Sequence, residues 1–195
     1  DRHWVGIPSE CEWKQLVRDL HLVEETGAHY HCCHVSAKES VELLARYRQK
    51  GCDVSGEVTA HHLLLNDRDV VGPNWKMNPP LREESDRQAL IEGLKSGALT
   101  LIANDLVKDG VCTLSQLVNW MSTAPAKRFG LTRRGALQEG YASDMVLVDL
   151  EEEYIINRHR FRSKGKNTPF HGWRAQGRIK MTIVDGTIVY KEGKE

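Results

Sequence analysis

Between residues 9 and 104 helix and strand signals alternate, and each of three helical stretches closes on a glycine. Residues 9–26 repeat apolar side chains at Leu16, Leu20 and Val23, a helical spacing, and stop at Gly27. Ser9 reads as the N-cap, with Glu10 and Glu12 in the first turn. Residues 28–35 read as a strand and residues 36–50 as a second helix stopped by Gly51. Residues 53–65 contain the next strand, and residues 83–95 form a third helix ahead of Gly97. The apolar run 98–104 suits a strand buried on both faces. Residues 113–129 are largely helical, with Pro125 breaking or kinking the helix. Strand-then-helix units of this length imply a parallel sheet. A (β/α) barrel is the common form that places ligands at strand C-termini.

From about Gly135 the pattern changes to short strands at 145–149, 154–156, 180–184 and 187–190. Asp185-Gly186 between the last two is a two-residue hairpin turn. The expected organisation is therefore a partial barrel over residues 1–134 and strands of a small β module over residues 135–195. Asp1 opens the chain without an initiator Met, which reads as a start inside a longer protein.

Chemistry-bearing residues concentrate on two of the barrel segments. His31-Cys32-Cys33-His34 and Glu57-Val58-Thr59-Ala60-His61-His62 bring imidazole, thiol and carboxylate to neighbouring strand ends, and Asp105 ends a third strand. These are the side chains that bind zinc-like ions. For any one of the histidines, a core residue bonded to backbone is the alternative reading. His61 and His62 would point to different sides of a regular strand and so would not share an ion. Cys32 and Cys52 read as core residues.

With 27 basic and 27 acidic residues the formal net charge is zero, so no global field attracts nucleic acid or an anionic membrane. No run reaches the roughly 18 apolar residues of a membrane span. Five cysteines, two of them adjacent, make a poor disulfide framework and suit a reducing cytoplasm. Arg158, Arg160, Arg162, Lys164 and Lys166 read as a solvated face or a domain contact rather than a nucleic-acid site.

Several segments occur in the order seen in dihydroorotases, members of the amidohydrolase superfamily. They are Cys33-His-Val-Ser-Ala-Lys-Glu-Ser40, Glu57-Val-Thr-Ala-His-His-Leu63, Asn78-Pro-Pro-Leu-Arg82 and Ile102-Ala-Asn-Asp105. The tail adds Glu139-Gly-Tyr-Ala-Ser-Asp144, Ser163-Lys-Gly-Lys-Asn-Thr-Pro-Phe170 and Ile183-Val-Asp-Gly-Thr-Ile-Val-Tyr190. The resemblance runs from Gly6 to Tyr190. It implies the C-terminal part of a (β/α)8 TIM-like metal-dependent hydrolase barrel, with a small β module at the C-terminus. Two departures stand out. The family's first half, with its His-x-His strand, does not precede this segment. Asp105 also runs directly into Leu106, where the family has His-Ala-Pro-His and a glycine-rich loop, so roughly thirty or more residues are expected to be missing there.

The resemblance implies that His34 and Asp105 are zinc ligands, with Asp105 also carrying the catalytic proton. It implies that Asn78, held by the two prolines after it, contacts the substrate. Cys33, Glu57 and His62 are expected to hold an additional zinc. The implied reaction is reversible cyclisation of N-carbamoyl-L-aspartate to L-dihydroorotate in pyrimidine biosynthesis, by a cytoplasmic homo-oligomer. The alternatives are another cyclic-amide hydrolase, such as an allantoinase or dihydropyrimidinase, and a non-catalytic subunit supporting aspartate transcarbamoylase.

Overall fold

The computed structural model describes residues 6–102, 110 and 112–193, in two compact units divided at Ala103/Asn104. The first unit runs α1 (Glu10–Thr26), β1 (Tyr30–Cys32), α2 (Lys38–Gln49), β2 (Val54–Thr59), α3 (Ala60–Leu64), α4 (Glu84–Lys95) and β3 (Leu99–Ile102). The three strands are parallel in the order β1-β2-β3, each added beside the last as in a barrel progression. His31 pairs with Ser55, Cys32 with Gly56, and Gly56 in turn with Leu99.

Strand β2 shows how the faces are assigned. Val54, Gly56 and Val58 are buried, while Ser55, Glu57 and Thr59 between them are half-buried on the opposite face. The buried face meets the helices. A Cβ on Gly56 would lie 2.6 Å from Leu44 Cδ1, 3.0 Å from Leu99 Cδ2 and 3.2 Å from Val35 Cγ2, so any larger residue would have to push the Leu44 side chain aside. Helix α1 buries its stripe of Leu16, Leu20 and Val23 and ends on Gly27, whose φ of 68° lets its N–H reach the Val23 carbonyl at 2.8 Å. Ser9 precedes α1 as expected, but its side chain makes no capping bond. It has helical dihedrals, and its carbonyl accepts the amides of Glu12 and Trp13.

One expectation changes here. The segment 53–65 is a strand only to Thr59, after which His61 and His62 lie on the short helix α3. The helical stretch 114–128 belongs to the second compact unit. Its ties to the tail explain this: Thr123 Oγ1 donates to the Gly135 carbonyl at 2.8 Å, and the Leu131 amide to the Ala126 carbonyl at 2.8 Å.

That stretch comprises α5 (Leu114–Val118), a π-helical turn (Asn119–Thr123) and α6 (Ala124–Arg128). Thr113 and Gln116 form a reciprocal capping box at its start. Pro125 neither breaks nor ends the helix. It sits in the first turn of α6, and the wider turn before it absorbs the missing N–H.

In the second unit β4 (Met145–Ile155), β5 (Arg174–Val184) and β6 (Thr187–Lys191) form an antiparallel meander. Residues 145–149 and 154–156, expected as separate strands, are joined by an irregularity between Asp149 and Glu153. Asp149 Oδ1 there accepts the amides of Glu151 and Glu152. Asp185 (φ 47°) and Gly186 (φ 76°) are both left-handed, the signature of a type I′ hairpin turn. Among the described residues, no helix is long and apolar enough to cross a membrane.

Candidate metal centre

The period-2 geometry of β1 sends His31 and Cys33 to one side, the side on which Ser55 and Glu57 stand on β2. His31 Nδ1 lies 2.7 Å from Ser55 Oγ, and its Nε2 lies 3.4 Å from Glu57 Oε2. The other Glu57 oxygen, Oε1, is 3.6 Å from His34 Nε2. Potential ligand atoms of His31, Cys33 and Glu57 all lie within 4.8 Å of one another. Side-chain exposure rises from 13% at His31 through 24% at Glu57 to 54% at His34, so the group is open on the His34 side.

The backbone that presents these groups is unusual. His34 has φ 55°, a left-handed conformation uncommon outside glycine. The Val35 amide then bonds the Glu57 carbonyl at 2.8 Å, tying the turn after β1 to β2. Beyond it, the N-terminus of α2 is capped by side chains from other helices. Glu12 Oε1 on α1 accepts the amides of Ser36 (3.0 Å) and Ala37 (3.1 Å) and the hydroxyl of Ser40 (2.7 Å). The other Glu12 oxygen accepts the Ser36 hydroxyl. Asp86 on α4 accepts the Lys38 amide at 2.9 Å. Two carboxylates at a helix N-terminus suit both its orphan N–H groups and its dipole. Arg82 Nε donates to Ser36 Oγ at 3.1 Å, joining the loop that follows Asn78 to the same turn.

Electrostatics divides the two adjacent cysteines. Burial, then the charges of Glu12 and Cys33, push the half-buried Cys32 thiol up to about 12, which disfavours its thiolate. Cys33 is also raised, by burial and then by the Glu57 charge and hydrogen bond. A divalent cation between Cys33 and Glu57 would reverse that sign, because it favours thiolate and carboxylate together. Nitrogen, sulfur and oxygen donors at this spacing match the borderline-soft preference of zinc.

His62 does not join this group. It is 3% exposed; its Nδ1 is 2.8 Å from Thr59 Oγ1 and its Nε2 is 3.1 Å from the Pro79 carbonyl. The physical reason is the change from strand to helix at Thr59, which turns His62 toward the 79–80 loop. His31 takes the place expected for His62 beside Cys33 and Glu57. The two-residue spacing of His31 and Cys33 was the signal that could have identified it. Asn78 is exposed in the loop before α4, and Asp105 with its junction to Leu106 lies outside the described residues.

The amidohydrolase family profile matches residues 6–189. The chain belongs to the amidohydrolase family. It is 44% identical over 224 residues to the dihydroorotase of Bacillus caldolyticus, and 43% identical to that of Anoxybacillus flavithermus. In both cases 97% of this chain and 52% of the relative are covered, so the chain spans about half the length of the curated relatives it matches. An aligned stretch of 224 residues against a chain of 195 leaves at least 29 positions at which the relative alone has residues. Among solved structures, the L-hydantoinase of Arthrobacter aurescens superposes with a TM-score of 0.88 at 28% identity, covering 96% of this chain and 50% of its own. The dihydropyrimidinase of Brevibacillus agri gives the same TM-score and coverage at 24% identity, a likeness of fold. This amidohydrolase chain therefore has the α/β fold of cyclic-amide hydrolases.

Proposed function

We propose that the natural-length protein is a zinc-dependent dihydroorotase, interconverting N-carbamoyl-L-aspartate and L-dihydroorotate in pyrimidine biosynthesis. The observation that carries this reading is identity of 42–44% to dihydroorotases across 96–97% of the chain. The chain would supply the C-terminal part of a (β/α)8 barrel whose strand C-termini hold the site. His34 and Asp105 would hold the catalytic metal, and His31, Cys33 and Glu57 an additional ion. A bound zinc would supply Lewis-acid polarisation of the substrate carbonyl and a more acidic water.

In the hydrolytic direction Asp105 would take the proton given up by the water that adds to the ring carbonyl and deliver it to the ring nitrogen as the C–N bond breaks, the ordinary task of a positioned carboxylate. The Asn78 amide would donate to the substrate carboxylate, held by the rigid loop that follows it. Five free cysteines suit a reducing cytoplasm. Homo-oligomerisation, and contact with aspartate transcarbamoylase, belong to the same proposal through the resemblance to dihydroorotases.

The likeness to hydantoinase and dihydropyrimidinase structures supports one rival, another cyclic-amide hydrolase. Turnover of the natural-length protein on dihydroorotate, allantoin and dihydrouracil decides between them. Preference for dihydroorotate is expected. Preference for either other ring would assign the rival, and metal-loaded protein inactive on all three would refute the enzyme reading.

A further inference from the structure

Strand β2 ends in a hydroxyl that two imidazoles share. Thr59 Oγ1 lies 2.8 Å from His62 Nδ1 and 2.9 Å from His61 Nε2. The directions of these bonds follow from their far end. A carbonyl oxygen only accepts, so His62 Nε2 carries a proton and donates it to the Pro79 carbonyl at 3.1 Å. Burial favours the neutral ring, which with its proton on Nε2 offers Nδ1 as an acceptor. The Thr59 hydroxyl must then donate to that Nδ1, which leaves its oxygen to accept the Nε2–H of His61. Each bond in this chain has one allowed direction, and it terminates on the peptide carbonyl immediately after Asn78.

The loop from Asn78 to Arg82 is held at its other end too. Arg82 Nε donates to Ser36 Oγ, and the Arg82 carbonyl accepts the Asp67 amide at 2.8 Å. Arg82 also donates to the Ile7 carbonyl. His62 is the anchor nearest Asn78, and the prolines at 79 and 80 can offer no amide of their own.

We propose that His62 is a positioning residue that holds the Asn78 loop through the Pro79 carbonyl, and is not a metal ligand. Its effect on catalysis rests on the reading that Asn78 contacts substrate; its effect on the loop does not. Losing the bond orphans the Pro79 carbonyl and frees the segment that presents Asn78, while the His31, Cys33 and Glu57 group keeps all its atoms.

The test uses the natural-length protein with His62→Leu, His62→Gln and Thr59→Val. Gln keeps an N–H near the position of Nε2, and Val removes only the hydroxyl that orients the ring. Three readouts are taken: bound metal after dialysis, the rate of tryptic cleavage after the exposed Lys76, and KM against kcat on dihydroorotate. In His62→Leu, metal content is expected to stay at the wild-type level. Cleavage after Lys76 should accelerate, and KM should rise, each by about tenfold, the factor that corresponds to about 1.4 kcal/mol. The kcat should hold within about twofold, the pattern of lost uniform binding. Gln should restore both values most of the way, and Val should fall between. If the Leu variant does not fold, Gln against Val carries the comparison. Loss of metal in a folded His62 variant would overturn the proposal by making His62 a ligand. Unchanged cleavage in folded His62→Leu, or in Val where Leu is unfolded, would overturn it by showing the loop needs no such anchor. Wild-type protein inactive on dihydroorotate would sink the functional reading instead, with metal content and cleavage still deciding the role of His62.

Discussion

Replacing Glu12 with Ala should destabilise the fold far more than any other acidic-to-alanine change on α1. The Glu12 carboxylate accepts two backbone amides at the start of α2 and the hydroxyls of Ser36 and Ser40, both of which are fully buried. Loss of an N-terminal cap costs about 1 kcal/mol. Two buried hydroxyls left without acceptors add about 1–3 kcal/mol each. Allowing for relaxation around a site that is partly open, the total is about 3–5 kcal/mol. Urea unfolding measures it: with a slope of about 3 kcal/mol/M, the midpoint should fall by about 1 M or more at unchanged slope. Glu25→Ala, on the exposed side of the same helix, should stay within about 0.5 kcal/mol. A loss below about 1 kcal/mol in Glu12→Ala would mean that α2 is not capped from α1, and the argument for how the His34 turn is held would fail.

Gly56→Ala should cost about 1–3 kcal/mol by overpacking against Leu44, whereas Gly165→Ala, with nothing nearby, should be near neutral; the same urea titration compares them. Glu84 is drawn down from 4.5 to about 2 by hydrogen bonds from Arg87, Gln88 and Asn66. Its contribution is therefore complete above pH 4.5 and fades as pH falls toward 2, so Glu84→Gln should flatten Tm against pH in that window, and an unchanged acid limb would refute the assignment. In the natural-length protein, His34→Ala should lower bound zinc as well as turnover, checked by elemental analysis after dialysis; unchanged stoichiometry would make His34 an ordinary histidine. Asp105→Asn should reduce dihydroorotate turnover by at least about 10²-fold in a protein whose circular dichroism is unaltered.

The parts of this molecule legible in the sequence are those set by local chemistry. Glycines 27, 51 and 97 stop helices because a left-handed residue ends the hydrogen-bond ladder, and that need is visible within a few residues. The Asp185-Gly186 turn is legible for the same reason. What the sequence hid depends on atoms far apart along the chain. The cap on α2 comes from Glu12 and Asp86, 24 or more residues from the amides they accept, while Ala37 at the cap position offers nothing. A run of three glutamates, Glu151 to Glu153, reads as a break between strands. The structure carries β4 through it because the Asp149 side chain satisfies two of the amides that lose their cross-strand partners.

The placement of His62 is the most instructive of these. Reading 53–65 as strand to its end puts Glu57 and His62 at odd spacing, on opposite faces, and still leaves His62 a free donor at the strand terminus. The β-branched residues that favour a strand stop at Thr59, and Ala60, Leu63 and Leu64 after it are good helix formers. Once the chain turns helical there, His62 sits by the 79–80 loop with both nitrogens engaged, and the imidazole beside Cys33 and Glu57 is that of His31, two residues before Cys33. His31 qualifies by register alone, since it pairs with Ser55 and so faces the side on which Glu57 stands. Period-2 bookkeeping on β1 was sufficient to find it, provided that β2 was ended one residue before Ala60.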